Sequence, residues 1–150
     1  NVELCYAPPY SSANDPVNLA GYAATNLIDG EYSHIQWHEV KDVIAKGGFI
    51  LDTRNPAELK FGYIEGAKNI PLNSLRNRLD ELPKDKTIYV YCQSGLRGYI
   101  ACRILKQHGF DVKNIDGGYK TYQAVYGDEF PLDGNVTVND LGEIVIEKNK

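Results

Sequence analysis

The sequence has no methionine, not even at position 1, and only three cysteines and one tryptophan among 150 residues. The missing methionine implies a processed chain or a piece cut from a longer one. Cys5, Cys92 and Cys102 are an odd number with no Cys-x-x-Cys pair, which argues against a disulfide framework and against a zinc site. His34, His38 and His108 have no ligand spacing, so no metal is expected. No apolar run approaches the roughly 20 residues that a membrane helix needs. Asn1-Val2-Glu3-Leu4-Cys5 has neither the charged leader nor the apolar core of a signal peptide, so the expected location is cytoplasmic, with no membrane partner. A basic stripe is also missing. Lys and Arg number 16 against 20 Asp and Glu, a net charge of -4, and the densest basic stretch, Lys84-Asp85-Lys86, contains an acid. That balance excludes a nucleic-acid footprint.

What is present suits one domain with a real core, since 43% of the residues are apolar. Residues 1–30 form an irregular piece in which Pro8, Pro9 and Pro16 prevent continuous helix or strand, with a short helix expected from Asp15-Pro16. From about residue 35 the elements alternate. Trp37, Val40, Val43 and Ile44 have helical spacing, stopped by Gly47-Gly48. Phe49-Ile50-Leu51 reads as a buried strand, and Asn55-Pro56-Ala57-Glu58 as a capped helix start. Ala67 to Pro71 is a second strand. Leu75, Leu79 and Leu82 predict a helix capped by Asn73. Thr87 to Tyr91 is β-branched and aromatic, hence a strand. Tyr99 to His108 predicts a helix with Ile100, Ile104 and Leu105 inward, and Val112 to Ile115 a strand. After the turn Asp116-Gly117-Gly118, residues 119–126 suggest a last helix. In the tail, Val136-Thr137-Val138 and Ile144-Val145-Ile146 suggest a hairpin. The expected fold class is therefore α/β, a mainly parallel sheet with helices on both faces. In such folds ligands bind beyond the carboxyl ends of strands.

The chemistry concentrates in Tyr89-Val90-Tyr91-Cys92-Gln93-Ser94-Gly95-Leu96-Arg97-Gly98-Tyr99. A buried strand ends at Cys92, a short loop with two glycines follows, and a helix begins. Three effects converge on the sulfur and favour its anionic form. The loop amides of Gln93, Ser94, Gly95 and Leu96 can point inward as an anion nest. The helix start adds partial positive charge. Arg97 adds a cation with a planar fork. Gly95 permits positive φ or close backbone approach, and Gly98 relieves crowding at the helix start. Cys102, inside a helix, reads as packing.

The segment from about 35 to 125 resembles the rhodanese homology domain. Four stretches carry the resemblance, in the family's order: Leu51-Asp52-Thr53-Arg54 followed by Glu58; Gly62-Tyr63-Ile64-Glu65-Gly66-Ala67-Lys68-Asn69-Ile70-Pro71; the Cys92–Arg97 loop; and Asp116-Gly117-Gly118-Tyr119. Tyr63 and Glu65 depart from it, standing where the family more often has histidine and proline. The resemblance implies a five-stranded rhodanese-like sheet and a sulfurtransferase that carries sulfane sulfur as a persulfide on Cys92, with Arg97 anchoring the loop or the donor's charge. It also implies Asp52 as a structural brace and Arg54 as a cation at the site rim. Only four residues separate Cys92 from Arg97. The related dual-specificity cell-cycle phosphatases have one more, which makes a phosphatase reading the lesser alternative. A non-catalytic docking or regulatory module is the other alternative, and the presence of Cys92 argues against it. Small sulfane-sulfur donors and thiol acceptors are the implied partners.

Tyr6-Ala7-Pro8-Pro9-Tyr10-Ser11-Ser12-Ala13 and Asp15-Pro16-Val17-Asn18 resemble the end of the dimerisation domain of flavin-dependent pyridine nucleotide–disulfide reductases, notably coenzyme A-disulfide reductases and NADH oxidase-like proteins. The implied organisation is a reductase remnant and linker over 1–30, a rhodanese domain over 31–127 and a tail over 128–150. The partner would be the reductase part of the same parent chain, a persulfide or polysulfide reductase. No cofactor is expected in this fragment. FAD, NADH and coenzyme A belong to the missing part, toward whose active site Tyr6 or Tyr10 could reach.

Overall fold

The computed structural model describes residues 33–127, 135–140 and 143–147. The chain divides into two units, 1–33 and 34–150. The expectations for the N-terminal piece, including the helix at Asp15-Pro16, Cys5, Tyr6 and Tyr10, lie outside the described residues.

Among the described residues a five-stranded sheet forms the middle of the second unit, from β1 (His34–Ile35), β2 (Phe49–Asp52), β3 (Lys68–Asn69), β4 (Ile88–Tyr91) and β5 (Val112–Ile115). The order is β1-β5-β4-β2-β3, and every pair is parallel. A parallel strand needs apolar side chains on both faces. The strands supply them by alternation. Leu51, Ile88, Val90 and Val112 join Ala101, Cys102, Ile104 and Leu105 in one core layer. Ile50, Tyr91 and Ile115 join Val40, Ile64, Tyr119 and Tyr122 in the other. Helices cover both layers: α1 (Val40–Ala45), α2 (Leu72–Leu75), α3 (Leu96–Gln107) and α4 (Gly118–Tyr126).

The α/β expectation and the five parallel strands therefore hold, while several local assignments change. Pro56–Phe61 is a 3-10 helix, although the expected box forms, with Asn55 and Glu58 capping each other reciprocally. The helix expected from Asn73 is instead α2, which follows Pro71 and already includes Asn73, and then a separate 3-10 turn at Leu79–Glu81. β1 had no strand signal; its two residues pair only with β5. Helix α3 starts three residues earlier than expected. Its inward face is Gly98, Ala101, Cys102, Ile104 and Leu105, whereas Ile100 is 39% exposed and belongs to the outer face.

In the tail, β6 (Asn135–Val138) and β7 (Ile144–Glu147) pair antiparallel. Glu143 bridges to Lys68 on β3, so the tail adds backbone pairing to the edge of the main sheet. No helix of the described residues is long and apolar enough to cross a membrane.

Candidate active site

β2 and β4 are neighbours, with Asp52 opposite Tyr91. The residues just beyond, Thr53 and Cys92, are therefore brought side by side at the carboxyl edge. Thr53 fixes this join twice: its N–H and its hydroxyl each donate to the Tyr91 carbonyl at 3.0 Å.

Cys92 is buried, with 1% of its surface exposed, and is a free thiol, as is Cys102. The Gly95 N–H donates to the Cys92 Sγ at 3.1 Å. Gly95 has φ +116, a value open to glycine and strained for other residues, and it turns the chain back over the sulfur. It is also the N-cap of α3, whose first amides have no intrahelical acceptor. The sulfur thus faces the positive end of a twelve-residue helix, as the loop sequence predicted.

The outer wall of the loop is clamped by the start of α4. Tyr119 N–H donates to the Cys92 carbonyl at 2.8 Å, and Lys120 N–H to the Gln93 carbonyl at 2.9 Å. The approach is so close that a Cβ on Gly118 would stand 2.4 Å from the Cys92 oxygen, and Gly118 has φ +59 besides. The Asp116-Gly117-Gly118-Tyr119 turn, read in the sequence as a turn and as one stretch of the family resemblance, is one jaw of the site. Gly98 has a parallel role on the inner side, where an added Cβ would meet Asn114 Oδ1 at 2.4 Å.

Under the loop lies an ion pair with no exposure at either side chain. Arg54 donates from Nε to both Asp52 oxygens, at 3.1 and 3.0 Å, and from Nη2 to Oδ2 at 2.7 Å. Its remaining reach goes to the Gly62 carbonyl (2.9 Å) and to Gln93 Oε1 (3.2 Å). The guanidinium sits 4.4 Å from the Tyr119 ring centroid and 5.4 Å from that of Tyr91. Burial pulls the Arg54 pKa down, but the hydrogen bonds and charge of Asp52 outweigh it and leave it raised. Burial holds the Tyr91 hydroxyl far above its usual range, so it stays protonated and accepts the Ile64 N–H at 3.2 Å. Asp52, expected as a structural brace, accepts from both the backbone and the guanidinium of Arg54. Arg54 is not a rim cation: the pair with Asp52 holds it inside, where it ties the end of β2 to the side chain of Gln93.

Arg97, expected to anchor the loop or the donor's charge, has a partner that the sequence did not indicate. It lies in the first turn of α3 and forms a two-pronged pair with Glu58, Nη1 to Oε2 and Nη2 to Oε1, each 2.7 Å. Glu58 also accepts the Asn55 N–H at 3.0 Å. The Arg97 hydrogen bonds hold the Glu58 carboxyl down at about 2, against an opposing effect of partial burial. Glu58 was legible as a helix cap and as part of the first motif, but its partner was not. A cavity of about 70 Å³ lies beside Arg97, lined also by Thr53, Asn55, Leu72 and Asn73. A larger one, about 550 Å³, is lined by residues including Gly48, Thr87 and Lys113, and no residue of the Cys92 loop reaches it.

Two exposed apolar side chains were not foreseen: Leu96, the first residue of α3, is 69% exposed, and Phe61, the last residue of the 3-10 helix that carries Glu58, is 67% exposed. Cys102 is as expected in the core, and burial pushes its thiol up to about 12, with the neighbouring Cys92 adding to the shift.

A buried parallel strand that delivers a cysteine into a short loop at a helix start places that sulfur at the carboxyl edge of an α/β sheet, where ligands of such folds bind. Residues 36–125 match the family described as rhodanese-like domain, and the chain belongs to it. A sulfurtransferase of Allochromatium vinosum is 37% identical over 94 residues, covering 62% of this chain and 83% of that protein. Among solved structures, the reduced Bacillus anthracis CoADR-RHD superposes with a TM-score of 0.78 at 56% identity, over 83% of this chain and 22% of that one. A NAD-dependent persulfide reductase from A. fulgidus gives 0.66 at 44% identity, over 79% and 21%. The chain thus spans about a fifth of these two larger proteins.

Proposed function

We propose that this rhodanese-like sulfurtransferase domain carries sulfane sulfur as a persulfide on Cys92. The Cys92 thiolate attacks the outer sulfur of a donor; the donor's sulfur–sulfur bond breaks and its leaving group departs with the electron pair. An acceptor thiolate then attacks the outer sulfur of the Cys92 persulfide, takes it, and returns Cys92 as thiolate. The observation that carries this reading is the Gly95 N–H on the Cys92 sulfur, in a loop whose backbone is clamped at both Cys92 and Gln93. Such a loop stabilises an anionic sulfur before and after transfer without rearranging. The short spacing between Cys92 and Arg97 favours one sulfur atom over a tetrahedral phosphate.

The likeness to CoADR-RHD and to a persulfide reductase supports a finer reading. The domain would exchange sulfur with a coenzyme A-linked persulfide or disulfide reductase of the same parent chain, in the cytoplasm. FAD, NADH and coenzyme A would be held by that partner, and Tyr6 or Tyr10 would serve its site.

Intact mass tests the carrier. Incubation with thiosulfate or glutathione persulfide, without reductant, should add one sulfur atom to the protein. The gain should disappear with cyanide or a thiol and be absent in Cys92→Ser. No adduct from any donor would exclude the carrier role for the isolated domain.

A further inference from the structure

The loop from Cys92 to Arg97 contains a single charged residue, Arg97, and Glu58 takes both prongs of its guanidinium at 2.7 Å. Neither partner is loosely solvated: the side chains are 32% and 28% exposed. Glu58 is held from behind as well, by the Asn55 N–H. The other arginine of the site, Arg54, is fully buried and matched by Asp52. Arg97 and Arg54 are therefore each matched by a carboxylate of their own. The two elements that carry the pair also expose apolar side chains. Leu96 and Ile100 lie one turn apart on α3, 69% and 39% exposed, and Phe61 lies on the 3-10 helix that carries Glu58. Lys60 on that helix is exposed, its ammonium 4.9 Å from the Phe61 ring centroid.

We infer that the site selects sulfane-sulfur donors of low charge with an organic body, and that Glu58 sets this selectivity by cancelling the loop's cation. The inference rests on the persulfide-carrier reading and deepens it. A dianion such as thiosulfate must leave water for a rim of Leu96 and Ile100, and it meets a carboxylate where a free guanidinium would have received it. An organic persulfide carries at most one charge, on its outer sulfur, so it loses less on the same path and can lay its carbon chain on the exposed apolar side chains. In both cases the chemistry at Cys92 is the same. With thiosulfate, the sulfur–sulfur bond breaks and sulfite leaves with the electron pair. With an organic persulfide, a thiolate leaves.

The test compares kcat/KM for thiosulfate and for 2-hydroxyethyl persulfide in the wild type, Glu58→Gln and Glu58→Asp. Glutamine keeps an acceptor for the Asn55 amide while removing the charge; aspartate keeps the charge. Glu58→Gln should shift the ratio toward thiosulfate by about fivefold, the scale of one charge acting across several Å of partly screened medium. Added salt should shrink that gain, and Glu58→Asp should keep the wild-type ratio. An unchanged ratio in Glu58→Gln, or an equal fall for both donors, would overturn the inference while Cys92 still loads sulfur. Failure of the wild type to load sulfur from either donor would instead remove the carrier reading and this inference with it.

Discussion

At the residue scale, two buried thiols of the chain have different surroundings. Cys102 is held in an apolar layer where burial pushes its thiol up to about 12, so it remains a packing group. Cys92, also buried, has a backbone N–H at 3.1 Å and a helix start in front of it. The Glu58–Arg97 pair has its own pH signature. The Glu58 carboxyl is lowered from 4.5 to about 2, chiefly by the Arg97 hydrogen bonds. A carboxyl depressed on folding contributes stability that is complete above its unfolded value and is lost as pH falls through its folded value. The stability difference between wild type and Glu58→Gln should therefore be constant above roughly pH 5 and close as pH approaches 2. Denaturant titrations across that range check it. Glu81, also held at about 2, by Arg78 and then Lys68, titrates over the same window in both proteins and cancels from the difference.

At the element scale, the site depends on three chain segments meeting: the end of β2, the loop after β4 and the start of α4. The last is the least forgiving. At Gly118 any side chain meets positive φ and a carbonyl 2.4 Å away, so Gly118→Ala should cost about 2–4 kcal/mol. Its unfolding midpoint should fall accordingly, and residual folded protein should load sulfur on Cys92 more slowly, because the loop backbone must give way. Helix α3 illustrates why a boundary matters for function. Read as starting at Tyr99, it leaves Arg97 in the loop and Ile100 inside. The observed start at Leu96 places Arg97 in the first turn, where it meets Glu58, and turns Ile100 outward beside Leu96.

At the scale of the whole molecule, stability is graded from the centre of the sheet outward. β4 is paired on both sides and covered on both faces, with Ile88, Val90 and Tyr91 fully buried. β3 has two residues at the edge, supported by the Glu143 bridge and by the Lys68–Glu81 ion pair at 2.9 Å. Arg78, which also pairs with Glu81, donates to the Asp140 carbonyl at 3.4 Å and so ties the tail to the same corner. Native-state hydrogen exchange should be slowest in β4 and the facing amides of β2 and β5, and markedly faster in β1 and β3. Equal protection across all five strands would contradict this gradient.

Sequence alone determined the α/β class, the parallel sheet and the placing of Cys92 in a loop between a strand and a helix start. Each of these is written in local terms: short continuous apolar runs, a strand leading into Cys92, and glycines at the turn. Tertiary structure decided which charges remain available at the sulfur. Arg97 and Glu58 are 39 positions apart, and Arg54 and Gln93 likewise. No local pattern pairs them, because their contact exists only once β2 and β4 lie side by side. The same holds for the jaw at Gly118, whose closeness to Cys92 comes from α4 crossing the carboxyl edge of the sheet. A cation in a loop sequence is a charge in water until the fold supplies its partner, and here the fold supplies Glu58.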